Sequence, residues 1–186
     1  MIRLSIAFFL APFLLLKAAE PTNSPEQVVT QYYDAKIAGK YEESLSFLTP
    51  EAQALEISEL ILSAGTFLTV GDGHQVKAIE DVFTKYKVDP SLIQRSKNKQ
   101  DSGTLEELKK LFEGMPVRKR LYADLSKALL DTYCMFPGDP VKVEKVDTAG
   151  DRAKVYYIMI NDMDKQPQSS LEMKRVRDVW LIESFK

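Results

Sequence analysis

His74, the one histidine in the chain, lies in GDGHQV two residues after Asp72. Its ordinary pKa sits near neutrality, which makes histidine the natural general base. The same spacing fits a residue in the first turn of a helix that Asp72 caps, and no second catalytic group is marked beside it. Cys134 is the one cysteine. In YCMF it sits among large apolar residues, the setting of an inert buried thiol rather than a nucleophile, and nothing in the sequence brings it to His74. Asn161, Asp162 and Asp164 form an oxygen-rich run of the kind that can hold calcium. The run lacks the glycine and the distal glutamate of an EF-hand and reads as a solvated hairpin connection.

Lys109, Lys110, Arg118, Lys119 and Arg120 could meet an anionic surface. Glu106, Glu107, Glu113 and Asp124 are interleaved with them, so a solvated helix face is expected. The aromatic residues are numerous: Tyr32, Tyr33, Phe47, Phe83, Tyr86, Tyr133, Tyr156, Tyr157 and Trp180. Most are expected to fill a core. Tyr33, Phe47, Phe83, Tyr133, Tyr157 and Trp180 are the candidates for lining a cavity, where tyrosine hydroxyls would orient a ligand. Signals for a P-loop, a dinucleotide fingerprint, a zinc site or a nucleophile elbow are absent, so no catalytic residue, metal or cofactor is assigned.

The elements that would position these residues follow from periodicity. Asn23 or Ser24 can cap a helix with Pro25 at its first position. Val28, Tyr32 and Ala35, with Val29, Tyr33 and Ile37 beside them, give it a helical period that Gly39 ends. A short helix is expected from Tyr41 to Leu48. Thr49 and Pro50 open a third, with Ile57, Ile61 and Ala64 on its stripe and Gly65 as its end. TFLTV then reads as a short strand or an extended connection. Val76, Ile79, Val82, Phe83 and Tyr86 mark a helix that Asp89-Pro90 stops. Residues 94–103 read as a mobile loop. Thr104 caps another helix that Gly114 ends, and a last helix runs from Pro116 to Phe136.

From Val141 onward the period changes to two. Four strands rich in Val, Ile, Tyr and Trp are joined by short connections, which favours an antiparallel meander. Gly150 can supply the positive φ of the first reversal, and Arg177-Asp178 fits a two-residue turn. Val155 to Ile160 is apolar at every position, which predicts a central strand covered on both faces. The fold class is therefore α+β, with N-terminal helices packed on a C-terminal antiparallel sheet.

A chain of 186 residues suggests one domain with a sizeable core. The 25 basic and 27 acidic residues nearly balance, which argues against a nucleic-acid partner. Arg3, the apolar stretch Ile6–Leu16 and the small residues Ala18 and Ala19 predict a secretory signal peptide over residues 1–19, with residues 20–186 as the domain. The apolar stretch falls short of the ~20 residues of an ordinary spanning helix. An uncleaved anchor is the other reading of the same stretch. Cleavage would remove Arg3 and Lys17 and no acid, leaving a charge two units more negative than the −2 of the full chain. One cysteine allows no internal disulfide.

Two passages carry a family resemblance: SPEQVVTQYYDAKIAGKYEESLSFLTPEA, and VKVEKVDTAGDRAKVYYIMIN with the terminal hairpin ending DVWLIESF. Together they resemble the nuclear transport factor 2-like superfamily, in particular its small exported members. The matching features are Val28, Val29, Tyr32 and Tyr33 on the opening helix, the Gly39–Tyr41 break, Leu45, the strand around Tyr156–Ile158, and Trp180 on the last strand. The resemblance covers the first third of the mature chain and its last 45 or so residues by pattern, and residues 65–136 depart from it in holding more helix. It implies a curved, cone-like sheet with a cavity between sheet and helices. It also implies three roles to choose between. The first is an exported, non-enzymatic domain that binds a small apolar ligand or a protein partner. The second is an acid–base isomerase or dehydratase using a carboxylate in the cone, for which Asp34 and Glu172 are the conceivable residues. The third is a structural envelope protein with a filled cone. A homodimer through the outer face of the sheet fits the apolar run VYYIMI.

Overall fold

The computed structural model describes residues 23–71, 73–89, 102–113, 115–133, 139–160 and 168–185. Helices come first and a four-stranded antiparallel sheet last, as the change of period predicts. Helix α1 spans Pro25–Ile37. Ser24 caps it: its Oγ accepts from the Gln27 amide at 3.1 Å while Gln27 Oε1 accepts from the Ser24 amide at 3.0 Å. This reciprocal pair satisfies two donors that a helix start leaves without partners. Gly39 closes the helix at φ +69°, a conformation that favours glycine.

Helix α2 is one turn, Tyr41–Ser44, continued by a 3₁₀ turn at Leu45–Phe47. Helix α3, Pro50–Val70, begins where Thr49 Oγ1 accepts from the Ala52 amide at 3.2 Å. It does not stop at Gly65, and TFLTV is helical rather than extended. A glycine inside a helix costs about 1 kcal/mol. Packing outweighs it here: Ile57, Ile61 and Ala64 are fully buried, and Phe67 and Leu68 continue the contact beyond the glycine. The helix is thus about 31 Å long at 1.5 Å per residue, enough to run from the sheet into a second group of helices.

That second group is α4 (Gly73–Tyr86), α5 (Ser102–Glu113) and α6 (Arg118–Tyr133). Helix α5 starts two residues before Thr104, so the end of the expected loop is helical, while residues 90–101 lie outside the described residues. α6 starts at Arg118 rather than Pro116, and Cys134 to Gly138 also lie outside the described residues. α5 and α6 both pack along α3, and α4 packs on α6. Phe83, Leu108, Phe112, Leu121, Leu125 and Leu129 form the apolar interior of this group. Asp124 on α6 accepts from both Lys85 Nζ and Tyr86 Oη of α4 at 2.7 Å, fixing the rotation of one helix against the other.

The cations around α6 are not a merely solvated face. Arg118 Nε donates to Gln53 Oε1 of α3 at 3.1 Å, and Lys119 Nζ donates to Ser46 Oγ at 2.9 Å. They tie α6 to the start of α3 and to the 3₁₀ turn. Lys109 pairs with Glu106 along its own helix.

The strands are β1 (Val141–Ala149), β2 (Arg152–Met159), β3 (Ser169–Val176) and β4 (Val179–Phe185), in that spatial order. Gly150 takes φ +65° in the first reversal, and Arg177 and Asp178 take +50° and +65° in the last. A turn with two positive φ values matches the twist of the strands it joins. Register shifts fall between Val143 and Lys145 and between Glu172 and Met173, and bulges of this kind increase local twist. Val155, Tyr157, Leu171, Met173, Trp180 and Ile182 are buried on the inner face.

Helix α1 is the main helical cover of that face, reaching β1, β2 and β4, and α3 touches β4. Two bonds lock the ends together. The Thr49 amide donates to Ile182 O at 2.9 Å, and the Trp180 amide donates to Asn23 Oδ1 at 3.0 Å.

The outer face corrects the expectation that β2 is covered on both sides by other elements. Register places Lys142 opposite Ile158, and Lys145 and Ser170 on either side of Tyr156. Tyr156 is half-buried because lysines lie over its ring, Lys154 Nζ at 4.9 Å and Lys145 Nζ at 5.4 Å from the centroid. Lysine stems cover the apolar surface while their ammonium groups stay in water.

Candidate functional site

Glu56 is the centre of the site. It lies on α3 next to the buried Ile57, and its side chain keeps 16% exposure. Three donors converge on its Oε1: Lys36 Nζ at 2.8 Å, Tyr122 Oη at 2.9 Å and Tyr32 Oη at 3.1 Å. Lys36 Nζ also donates to Tyr32 Oη at 3.2 Å and stands 5.2 Å from the centroid of that ring. Helical spacing produces the cluster. Tyr32 and Lys36 are four apart on α1 and share one face. Helix α3 brings Glu56 across from α1, and α6 supplies Tyr122 from the other side. Glu56 Oε2 makes no hydrogen bond to a described residue.

Burial pushes the Glu56 carboxyl up. The Lys36 ammonium and the three hydrogen bonds outweigh it and hold the carboxyl below its ordinary range. Glu56 is therefore a carboxylate at neutral pH. One turn further along α3, Glu59 behaves oppositely. Burial, then the charge of Glu56, raise its carboxyl. The hydroxyls of Tyr32, Tyr33 and Tyr122 are all pushed well up, first by burial, so they stay protonated as donors.

The cluster forms the floor of a cavity of about 410 Å³, open to solvent. Tyr32, Tyr33 and Lys36 line it from α1, and Tyr41 from α2. α3 contributes Glu56, Glu59, Leu60 and Ser63, and α6 contributes Tyr122, Ser126, Leu129 and Leu130. Met159 of β2 and Phe185 of β4 complete the wall. The rings interlock: Tyr32 meets Tyr33 edge-on at 5.1 Å, and Tyr41 meets Tyr122 edge-on at 6.2 Å. Behind Tyr33 the hydroxyl of Tyr157 lies 2.6 Å from its own, a buried pair that fixes α1 over β2.

Of the residues singled out in the sequence as cavity-lining, Tyr33 lines this one. Tyr157 stands behind it and does not line the cavity. Phe83 is buried in the α4–α6 group, Phe47 packs at the edge of the core, and Trp180 is buried under the guanidinium of Arg175. These four do not line this cavity. The side chains of Tyr133 and His74, and all of Cys134, Asn161, Asp162 and Asp164, lie outside the described residues.

Asp34 is exposed on α1, which removes it as an inward carboxylate. Glu172 stands on the outer face of the sheet, across from Lys154, with Ser184 Oγ 3.3 Å from its Oε2. The carboxylates that do enter the cavity, Glu56 and Glu59, were not singled out. The signal for them was the polar series Glu56, Glu59 and Ser63, three and four residues apart beside the apolar stripe of α3.

Among the described residues, no group of three His, Cys, Asp or Glu could hold a metal ion, and no helix is long and apolar enough to cross a membrane. No protein-family model, curated protein or solved structure matches the chain. The site's own chemistry therefore carries the functional argument.

Proposed function

We propose that this chain is an exported domain of the nuclear transport factor 2-like type, with its sheet and helices arranged cone-like. Its task would be to bind a small ligand with an apolar body in the cavity between α1, α3 and α6. The observation that carries this reading is the cavity itself: about 410 Å³, within the size range of small-molecule sites at about 300–1,000 Å³. Leu60, Leu129, Leu130, Met159 and Phe185 give it apolar walls, while the polar groups gather at Glu56. A few polar groups in an apolar concavity orient a ligand.

Binding without catalysis is favoured by the state of Glu56. A general base works best with a pKa near the operating pH. Glu56 is held below its ordinary range, and its Oε1 is already engaged by three donors. One observation favours the enzyme reading: Glu59, at the same cavity, has a raised carboxyl. An isomerase using Glu59 as acid–base group would put solvent deuterium into the molecule bound there, and a binding protein would not. A filled structural cone has less support, given the open volume.

The test of binding is a titration with Nile red, a neutral apolar dye whose emission rises in apolar surroundings. Ser63 is exposed at the cavity, so Ser63→Trp narrows it without touching the core. Saturable binding to the wild type that the variant loses supports the proposal. Equal binding to both, or none to either, overturns it.

A further inference from the structure

We propose that the cavity selects ligands carrying one cationic head, an ammonium or guanidinium, on an apolar body. This rests on the binding reading above and adds the ligand's charge.

Three observations point the same way. The first is the charge balance. The ionisable side chains lining the cavity are Glu56, Glu59 and Lys36, apart from its tyrosines. Lys36 is committed to Glu56 Oε1 and Tyr32. Two carboxyl groups against one ammonium leave the cavity one positive charge short. Glu56 and Glu59 are one helical turn apart, a separation at which side chains share a face. A cation between them would meet both.

The second is the unused acceptor. All three donors fall on Oε1 of Glu56, and Oε2 makes no hydrogen bond to a described residue. A head group with N–H donors can fill it, and a charge-assisted bond there is of the stronger kind. An anionic head would meet two acids and an ammonium that is already paired.

The third is the wall. Tyr33, Tyr41, Tyr122 and Phe185 present aromatic rings around the carboxylates, and a cation is attracted to the face of such a ring. The site itself already holds an example of this chemistry. Lys36 lies 5.2 Å from the centroid of Tyr32 while bonded to Glu56. A ligand ammonium would repeat that arrangement one step further into the cavity.

The experiment compares three probes with one chain and three head charges: octylammonium, octanol and octanoate, each displacing Nile red at pH 7. The expected result is that octylammonium competes at least tenfold better than either of the others. Glu59→Gln should reduce its advantage over octanol several-fold. Folding of the variant is checked by its circular dichroism spectrum and its urea midpoint. If octanol or octanoate competes as well as octylammonium, or if Glu59→Gln leaves the preference intact, the charge selection is wrong and the binding reading stands. If Nile red itself does not bind the wild type, the binding reading fails first and takes this inference with it.

Discussion

Replacing Glu56 with glutamine keeps the size of the side chain and removes its charge. In the native cluster Oε1 accepts from Lys36, Tyr122 and Tyr32 at 2.8, 2.9 and 3.1 Å. A hydrogen bond to a charged group contributes about 1.5–3 kcal/mol, and a neutral one about 0.5–1.5 kcal/mol. Neutralising the acceptor therefore turns the two tyrosine contacts into neutral pairs and weakens each by about 1 kcal/mol, while the Lys36 ammonium can still donate to the amide oxygen. The Lys36 ammonium also loses its counter-charge. For a fully buried pair, removing one partner costs about 3–5 kcal/mol. The side chains of Lys36 and Glu56 keep 25% and 16% exposure, so water offsets part of that loss. The expected total is about 3–4 kcal/mol, a fall in Tm of roughly 6–16 °C for a domain of this size.

Urea unfolding followed by circular dichroism measures it. The midpoint should fall with the slope m unchanged, because the change in exposed surface is the same. The acid limb gives a second readout. The folded-state pKa of Glu56 lies below its unfolded value, so its contribution is present above the ordinary glutamate pKa and is lost as pH falls through the lower folded one. The gap between wild type and Glu56→Gln should therefore hold from pH 7 down to the ordinary glutamate pKa of 4.5 and narrow below it. Glu59 works in the opposite sense, its raised carboxyl being relieved by the same acidification. A loss below about 0.5 kcal/mol, the range of an ordinary surface substitution, would refute the reasoning.

Three further outcomes are expected. Tyr33→Phe and Tyr157→Phe each strand one hydroxyl of a buried 2.6 Å pair. Each should cost about 1–2 kcal/mol, and the double variant less than the sum, as a double-mutant cycle would show. In the last hairpin, Arg177 and Asp178 hold φ +50° and +65° without being glycine. Arg177→Asn with Asp178→Gly should raise stability by about 0.5–1.5 kcal/mol, read as a higher urea midpoint. At alkaline pH the raised pKa values of Tyr32, Tyr33 and Tyr122 mean stability is intact below their unfolded value of 10.0 and declines as pH rises beyond it. Absorbance at 295 nm should show these three ionising only together with loss of the fold.

How far the sequence reached differs between its two ends. The sheet was legible because alternation is a local signal, and the turns at Gly150 and Arg177-Asp178 fell at the expected positions. The first helix was legible because Ser24, Pro25 and Gly39 mark both ends. Helix α3 was not. Gly65 reads as a stop by propensity, and only the packing around Ile61, Ala64 and Leu68 carries the helix past it. The second helical group buries Phe83, Phe112 and Leu125 in one core continuous with that under the sheet. From sequence these apolar stripes could not be told from stripes that pack on the sheet. The site was the least legible part. Lys36 and Glu56 are ordinary surface residue types, 20 positions apart, and Tyr122 is 66 positions beyond Glu56. Their meeting depends on three helices crossing, which no local pattern encodes. Asp34 and Glu172 have the chemistry of an inward carboxylate, yet Asp34 is exposed on α1 and Glu172 stands on the outer face of the sheet.

The most direct test of the binding account is native mass spectrometry on the protein purified without denaturation from the cells that make it, beside Ser63→Trp prepared in the same way. A reproducible small-molecule adduct is expected on the wild type and not on the variant, and the molecule released from it should contain an ionisable nitrogen. A wild type that flies as clean unliganded protein, or an adduct that survives in Ser63→Trp, would contradict it.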